Sequence, residues 1–245
     1  MANWKIEAWP TKPMTIDEAI EFFRSKVPLT DEEFRKLAEE VRVRAFTVSR
    51  IAALDVLKDI LDELTRALEE GLTLEEFRQN ANAVLEKKGY EGLSPYRADN
   101  IFRTNIQTAY SVGRYKQMTD PEVLSRRPYW QYDAVNDERT RPSHLAMDGK
   151  VYPADHPFWD TWYPPNGFRC RCSVRSLSER DIAREGLQIE TEIPKLVEPP
   201  GRPAMPLMPD PGFAYNPGKA AWKPDLSKYP EDLREAYERV FEKGV

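Results

Sequence analysis

"PYWQYDAVN", Pro128 to Asn136, is the stretch on which the fold turns. Tyr129, Gln131 and Asp133 alternate in it with Trp130, Tyr132 and Ala134, the two-residue period of a strand with one buried face. Upstream, apolar residues recur at three and four residue steps instead. The change of period predicts an α+β chain: a helical region over 1–120, a small mixed α/β module over 121–185, and a Pro-rich arm with a short terminal helix over 186–245.

The helical half carries its own start signals. Thr15 with Glu18, Thr30 with Glu33 and Thr73 with Glu76 each set a hydroxyl three residues before a glutamate, the spacing of a capping box. From Thr30, Phe34, Leu37, Val41, Val48, Ile51, Leu54, Leu57, Leu61, Leu64 and Leu68 predict one long amphipathic helix or two in line, closed by Gly71. A shorter helix follows from Thr73 to a left-handed cap at Gly89. Another opens with Ser94 as N-cap and Pro95 in the first helical position. Such long helices beside so thin a module are expected to pack on a partner rather than on their own chain.

Downstream of Pro128, "DERTRPSHLAMDGKVYP" predicts a turn, a short helix from Ser143, a tight turn at Asp148-Gly149 and a strand at Lys150 to Tyr152. "CRCSVRSL" alternates again and reads as the return strand. Long loops between so few strands need something to hold them. Phe158, Trp159, Trp162 and Tyr163 read as the core of this sheet. Beyond "SERDIAREG", Pro194, Pro199, Pro200, Pro203, Pro206, Pro209, Pro211 and Pro217 predict an extended arm rather than a packed element, before a last helix at "PEDLREAYERVFEK".

The chain of 245 residues is 40% hydrophobic and 31% charged with formal net charge -5, which suits a soluble protein with one large core or two small ones. No apolar run is long enough to span a membrane, and "MANWKIEAWP" lacks the apolar centre of a signal peptide, so a reducing cytoplasm is expected. Only two cysteines are present, which excludes a disulfide framework. The acidic balance argues against nucleic-acid binding through net charge, although Arg126, Arg127, Arg169 and Arg171 leave room for a local basic face.

The two cysteines, Cys170 and Cys172, stand one residue apart, a separation that rarely meets disulfide geometry. With His144 they make three quarters of a tetrahedral zinc site, and metal would pin the long loops. His156, Asp155, Asp160 and Asp148 are the candidates for a fourth ligand. Two buried thiols beside a hydrogen-bonded core histidine account for the same spacing. A deaminase-type zinc site is excluded: Leu145 and Ala146 follow His144 where a glutamate is required, and the cysteines are too close. A zinc- or thiol-dependent hydrolase or transferase built on His144, Cys170 and Cys172 remains the enzymatic alternative, since Arg169 and Arg171 would favour a thiolate. In "DERTRPSH", Asp137 is expected to start a turn, Arg139 and Arg141 to fork onto carboxylates or carbonyls, and Ser143 to cap a helical turn.

"DERTRPSHLAMDGKVYPADHPFWDTWYPPNGFRCRC", with "RADNIFRTNIQTAYSVGRY" before it and "DPGFAYNPGKA" after it, resembles the Mu-type phage minor head protein, or phage head morphogenesis, family over roughly residues 95–220. The resemblance implies a structural protein of the phage head rather than an enzyme. It implies synthesis with portal, capsid or scaffold proteins in the host cytoplasm, association with the portal and with packaged DNA, packaging in the virion, and neither a membrane nor a small-molecule substrate as partner. Relatives carry Cys-Pro-x-Cys where this chain has Arg141-Pro142-Ser143-His144, and a histidine where it has Gly167. The resemblance therefore implies zinc binding by His144, Cys170 and Cys172, with two ligand positions, Arg141 and Gly167, changed.

Overall fold

A computed structural model of the chain describes residues 17–37, 39–197, 201, 203–222 and 231. Helix α1 (Asp17–Arg24) leads to strand β1 (Val27–Pro28), helices α2 (Asp31–Lys36) and α3 (Glu39–Arg42), and strand β2 (Ala45–Phe46). Helices α4 (Leu54–Glu70), α5 (Leu74–Lys87) and α6 (Pro95–Met118) complete the helical half, and α7 (Pro121–Arg126) turns the chain into the sheet.

The local signals act where they were read. Thr30 and Thr73 each form a reciprocal capping box with the glutamate three residues on, Ser94 caps α6, and Gly71 and Gly89 take the left-handed conformation that lets the chain reverse. The box expected at Thr15 lies outside the described residues. The long helix expected from Thr30 is instead broken into α2, α3 and α4. Between them Ala45 and Phe46 pair in parallel with Val27 and Pro28, and Arg50 adopts φ 69°. The run Phe46-Thr47-Val48 is rich in β-branched residues, so burying Phe46 and Val48 in extended backbone wins over a weak helical preference.

The helices also pack on one another, against the expectation that they need a partner. Phe22 and Phe23 of α1, Leu57, Ile60 and Leu64 of α4, Phe77 and Leu85 of α5, and Ala109 and Val112 of α6 share one buried cluster. Helix α1 reaches α6 closely because Gly113 has no side chain: a Cβ there would stand 2.7 Å from the Ala19 backbone nitrogen.

The second half is built on strand β3 (Tyr129–Asp133). Helix α8 (Pro142–Leu145), strand β4 (Val151–Pro153), helix α9 (Phe158–Trp162), strand β5 (Ser173–Leu177) and helix α10 (Glu179–Glu185) follow. The sheet order is β4-β3-β5, antiparallel throughout, with Trp130 opposite Tyr152 on one side and Ser176 on the other. Trp130, Tyr132, Phe158, Trp159, Trp162 and Tyr163 fill its core, as the sequence predicts.

The Pro-rich stretch differs from the expected arm. Strands β6 (Leu196–Val197) and β7 (Met205–Pro206) form a two-stranded ribbon, and helix α11 (Pro217–Trp222) packs on α6. Leu207 enters the sheet core while Ala220 and Ala221 enter the helical one, so residues 205–222 strap the two together. Polar contacts hold the strap: Asn216 Nδ2 donates to Trp159 O at 3.0 Å, and Lys219 Nζ pairs with Asp160 at 2.9 Å. A Cβ at Gly218 would fall 2.3 Å from Tyr115 Cβ, so α11 needs glycine at this crossing. The terminal helix expected at "PEDLREAYERVFEK" falls almost wholly outside the described residues.

Candidate metal centre

His144 comes from α8, whose first residue is Pro142 and whose N-cap is Arg141 rather than Ser143. Cys170 and Cys172 come from the loop entering β5. These three are 2%, 3% and 3% exposed, and their donor atoms all lie within 4.8 Å of one another. His144 Nδ1 stands 3.7 Å from Cys170 Sγ and 3.5 Å from Cys172 Sγ. In a tetrahedral site with Zn–S near 2.3 Å and Zn–N near 2.0 Å, sulfur and nitrogen are separated by about 3.5 Å. The distances therefore match the edges of a zinc tetrahedron.

The surroundings of the two sulfurs act on them in opposite directions. The backbone amide of Asn166 favours charge on Cys170 Sγ, and the Val135 amide and the Tyr132 hydroxyl favour it on Cys172 Sγ. A hydrogen bond from the Cys172 thiol and the neighbouring His144 pull Cys170 well below the usual thiol range against the effect of burial. The same hydrogen bond, burial and the charge on Cys170 push Cys172 up. The pair thus gives up one proton readily and holds the other tightly. A divalent cation between them is what would release the second. His144 Nε2 is enclosed without a hydrogen-bond partner among the described residues, which supply no second-sphere acceptor of the kind a metal-bound histidine usually has.

Two salt bridges fix the loops around these donors. Asp137 takes both guanidinium nitrogens of Arg171, at 2.6 and 2.7 Å, tying the "DERT" turn to the cysteine loop. That pairing holds the Asp137 carboxyl well below the usual carboxylate range. Arg141 donates to Phe168 O at 2.9 Å and pairs with Asp210 of the strap at 2.8 Å. From the other side α6 pins the loop: Gln107 donates to Cys172 O, and Thr104 Oγ1 accepts from the Arg169 amide.

None of His156, Asp155, Asp160 or Asp148 joins the donor group among the described residues. His156 Nδ1 accepts from the Phe158 amide, Asp148 accepts from the Ala134 amide and Asn136, and Asp160 pairs with Lys219. Arg141 and Gly167, the positions where the resemblance expects further ligands, do meet in space. A Cβ on Gly167 would lie 2.3 Å from an Asp210 carboxylate oxygen and 3.2 Å from Arg141 Cζ. An ion pair occupies that place in this chain. The basic face considered for nucleic acid is dispersed: Arg127 pairs with Asp181, Arg169 with Asp99 and Arg171 with Asp137.

Sequence reasoning missed Tyr132, Val135, Asn166 and Asp210. Tyr132 and Asn166 reach each other through a 2.9 Å hydrogen bond, and Asp210 donates its amide to Asn166 O. Asn166 sits inside "PPNGFRC", so its closeness to the cysteines was a usable signal; Asp210 gave none.

Residues 58–175, from α4 into β5, match the family model described as Phage Mu protein F like protein, a span that includes all three donors. The chain is 37% identical to the "Putative capsid assembly protein F" of Escherichia phage Mu, over 85% of this chain and 55% of that protein. It is 40% identical to the Mu-like prophage FluMu F protein of Haemophilus influenzae, over 62% of this chain and 39% of the relative. An uncharacterized protein of Methanocaldococcus jannaschii is 29% identical over 48% of this chain and 17% of its own length. The chain thus spans about half, or less, of the curated relatives it matches. No solved structure matches it.

Proposed function

The chain belongs to the Phage Mu protein F like family, matched over residues 58–175, and from that premise we propose that it acts in the assembly of a phage head. The observation that carries the reading is the 37% identity, over 85% of the chain, to a protein named for capsid assembly. The partners are head proteins, with the portal as the principal contact and capsid or scaffold proteins around it, and the chain enters the particle and is packaged in the virion. Co-expression of the tagged chain with the portal and capsid proteins tests this. Co-purification in a fixed ratio is the expected result, and a chain that elutes alone at every salt concentration overturns the portal assignment.

His144, Cys170 and Cys172 serve in this reading as a structural zinc site. Zinc would supply charge to hold both sulfurs as thiolates and would cross-link α8 to the loop before β5. The chain's own groups do the rest: Asn166, Val135 and Tyr132 favour charge on the sulfurs, and Asp137–Arg171 fixes the approach of the two loops. Burial of the three donors favours this role over catalysis, because a reacting site must admit its substrate.

A further inference from the structure

A groove of about 520 Å³ runs between the β1/β2 region, α6 and the strap at residues 211–213. Val43, Phe46 and Ile101 form apolar wall, and Tyr96 and Phe168 stand at the opening, 67% and 55% exposed. Phe168 is held edge-on against Phe213 at 4.9 Å, and the Arg169 guanidinium lies 5.4 Å over the Tyr96 ring. Large exposed aromatics beside an apolar cleft are the usual anchors of a protein–protein contact.

The charge of the groove is one-sided. Its charged lining residues are Lys26, Arg42, Arg97 and Asp31, and Asp31 is paired with Arg35. Arg42 donates only to the carbonyls of Phe34 and Arg35, and Arg97 only to that of Ser49, so neither guanidinium meets a carboxylate among the described residues. Lys26 Nζ is likewise bonded to carbonyls, of Val43 and Ala45. In a chain of net charge -5, Arg42 and Arg97 thus stand as unbalanced cations beside this apolar groove. The lining also holds Thr47 Oγ1 and Asn100 Oδ1, enclosed without hydrogen-bond partners among the described residues.

We infer that this groove receives an acidic segment of another head protein, with aromatic or aliphatic side chains seated against Phe46 and Ile101 and carboxylates on Arg42 and Arg97. A purely apolar segment would desolvate both guanidiniums without a counter-charge, and a basic one would be repelled. The inference rests on the head-assembly reading for the source of the partner, while the groove's chemistry stands by itself.

Photo-crosslinking tests it: p-benzoylphenylalanine replaces Tyr96 in the full chain, in cells carrying the phage head genes, and the adduct is sequenced by mass spectrometry. The expected adduct joins the photoreactive residue at position 96 to an acidic, apolar stretch of a different head protein. Arg42→Glu with Arg97→Glu should reduce it at least tenfold in a chain that keeps its helical circular dichroism. An adduct to residues 223–245 of the same chain, to a second copy, to nucleic acid or to a basic segment overturns the inference. So does the absence of any adduct in cells where the chain still supports head formation. If head formation does not need the chain yet an acidic segment of another protein is captured, the assembly reading fails and the groove stands.

Discussion

His144 Nδ1 lies 3.5 Å from Cys172 Sγ across 28 residues of sequence, in an interior where neither side chain meets solvent. A neutral thiol and an imidazole gain little from such an approach. With Cys170 Sγ on the same nitrogen at 3.7 Å, a zinc ion would make the three donors one cross-link between α8 and the loop entering β5.

The purified chain should therefore carry about one zinc per molecule. Cys170→Ser, Cys172→Ser and His144→Ala should each lower zinc content sharply and cost on the order of several kcal/mol of stability. Elemental analysis beside calorimetric melting checks this. Full stability in the double cysteine variant would show that the thiols are simple core residues.

The Asp137–Arg171 pair makes a pH prediction. The folded state holds Asp137 below its unfolded pKa, so its contribution is present above the ordinary carboxylate range and is lost as pH falls through the folded value. Asp137→Asn and Arg171→Ala should each lower the melting temperature by a few degrees at pH 7. Amide exchange at residues 137–140 should speed up in both, with the rest of the sheet unchanged.

Lys26 makes a second one, of the same sign but in the alkaline range. Burial lowers its pKa from 10.5 to about 7, while the carbonyls of Val43 and Ala45 and the rings of Phe22 and Phe23 face its Nζ. Between those values the unfolded chain binds more protons than the folded one, so stability rises with pH. The rise should be on the order of a few kcal/mol between pH 7 and 10 in denaturant titrations. It should flatten in Lys26→Met, and an unchanged slope in that variant would assign the effect elsewhere.

Gly113→Ala tests the contact between α1 and α6. In an open helix the change stabilises by up to about 1 kcal/mol. Here the new Cβ meets the Ala19 backbone at 2.7 Å, so overpacking should win and the variant should lose about 1–3 kcal/mol. Urea unfolding measures the sign.

How much of this was legible follows the range of each interaction. The boxes at Thr30 and Thr73, the cap at Ser94 and the alternation around Trp130 act within a few residues and read directly. The break at Ala45 and Phe46 did not, because it depends on pairing with Val27 and Pro28 and on burial of Phe46, which a helical period imitates. The cysteines and His144 were legible as scarce ligand types at suggestive spacing. Asn166, four residues before Cys170, was within reach of the same reading, whereas the approach of Tyr132 and Val135 to the sulfurs and the Arg141–Asp210 pair beside Gly167 arise from tertiary contact and leave no local pattern.

The most direct test of the central claim is a count by electron microscopy of normal heads in cells that carry the phage head genes with and without this chain. Assembly by this protein predicts that its deletion leaves few normal heads, that the full chain restores them, and that the Cys170→Ser, Cys172→Ser variant restores them poorly. Normal heads in undiminished number without the chain would contradict it.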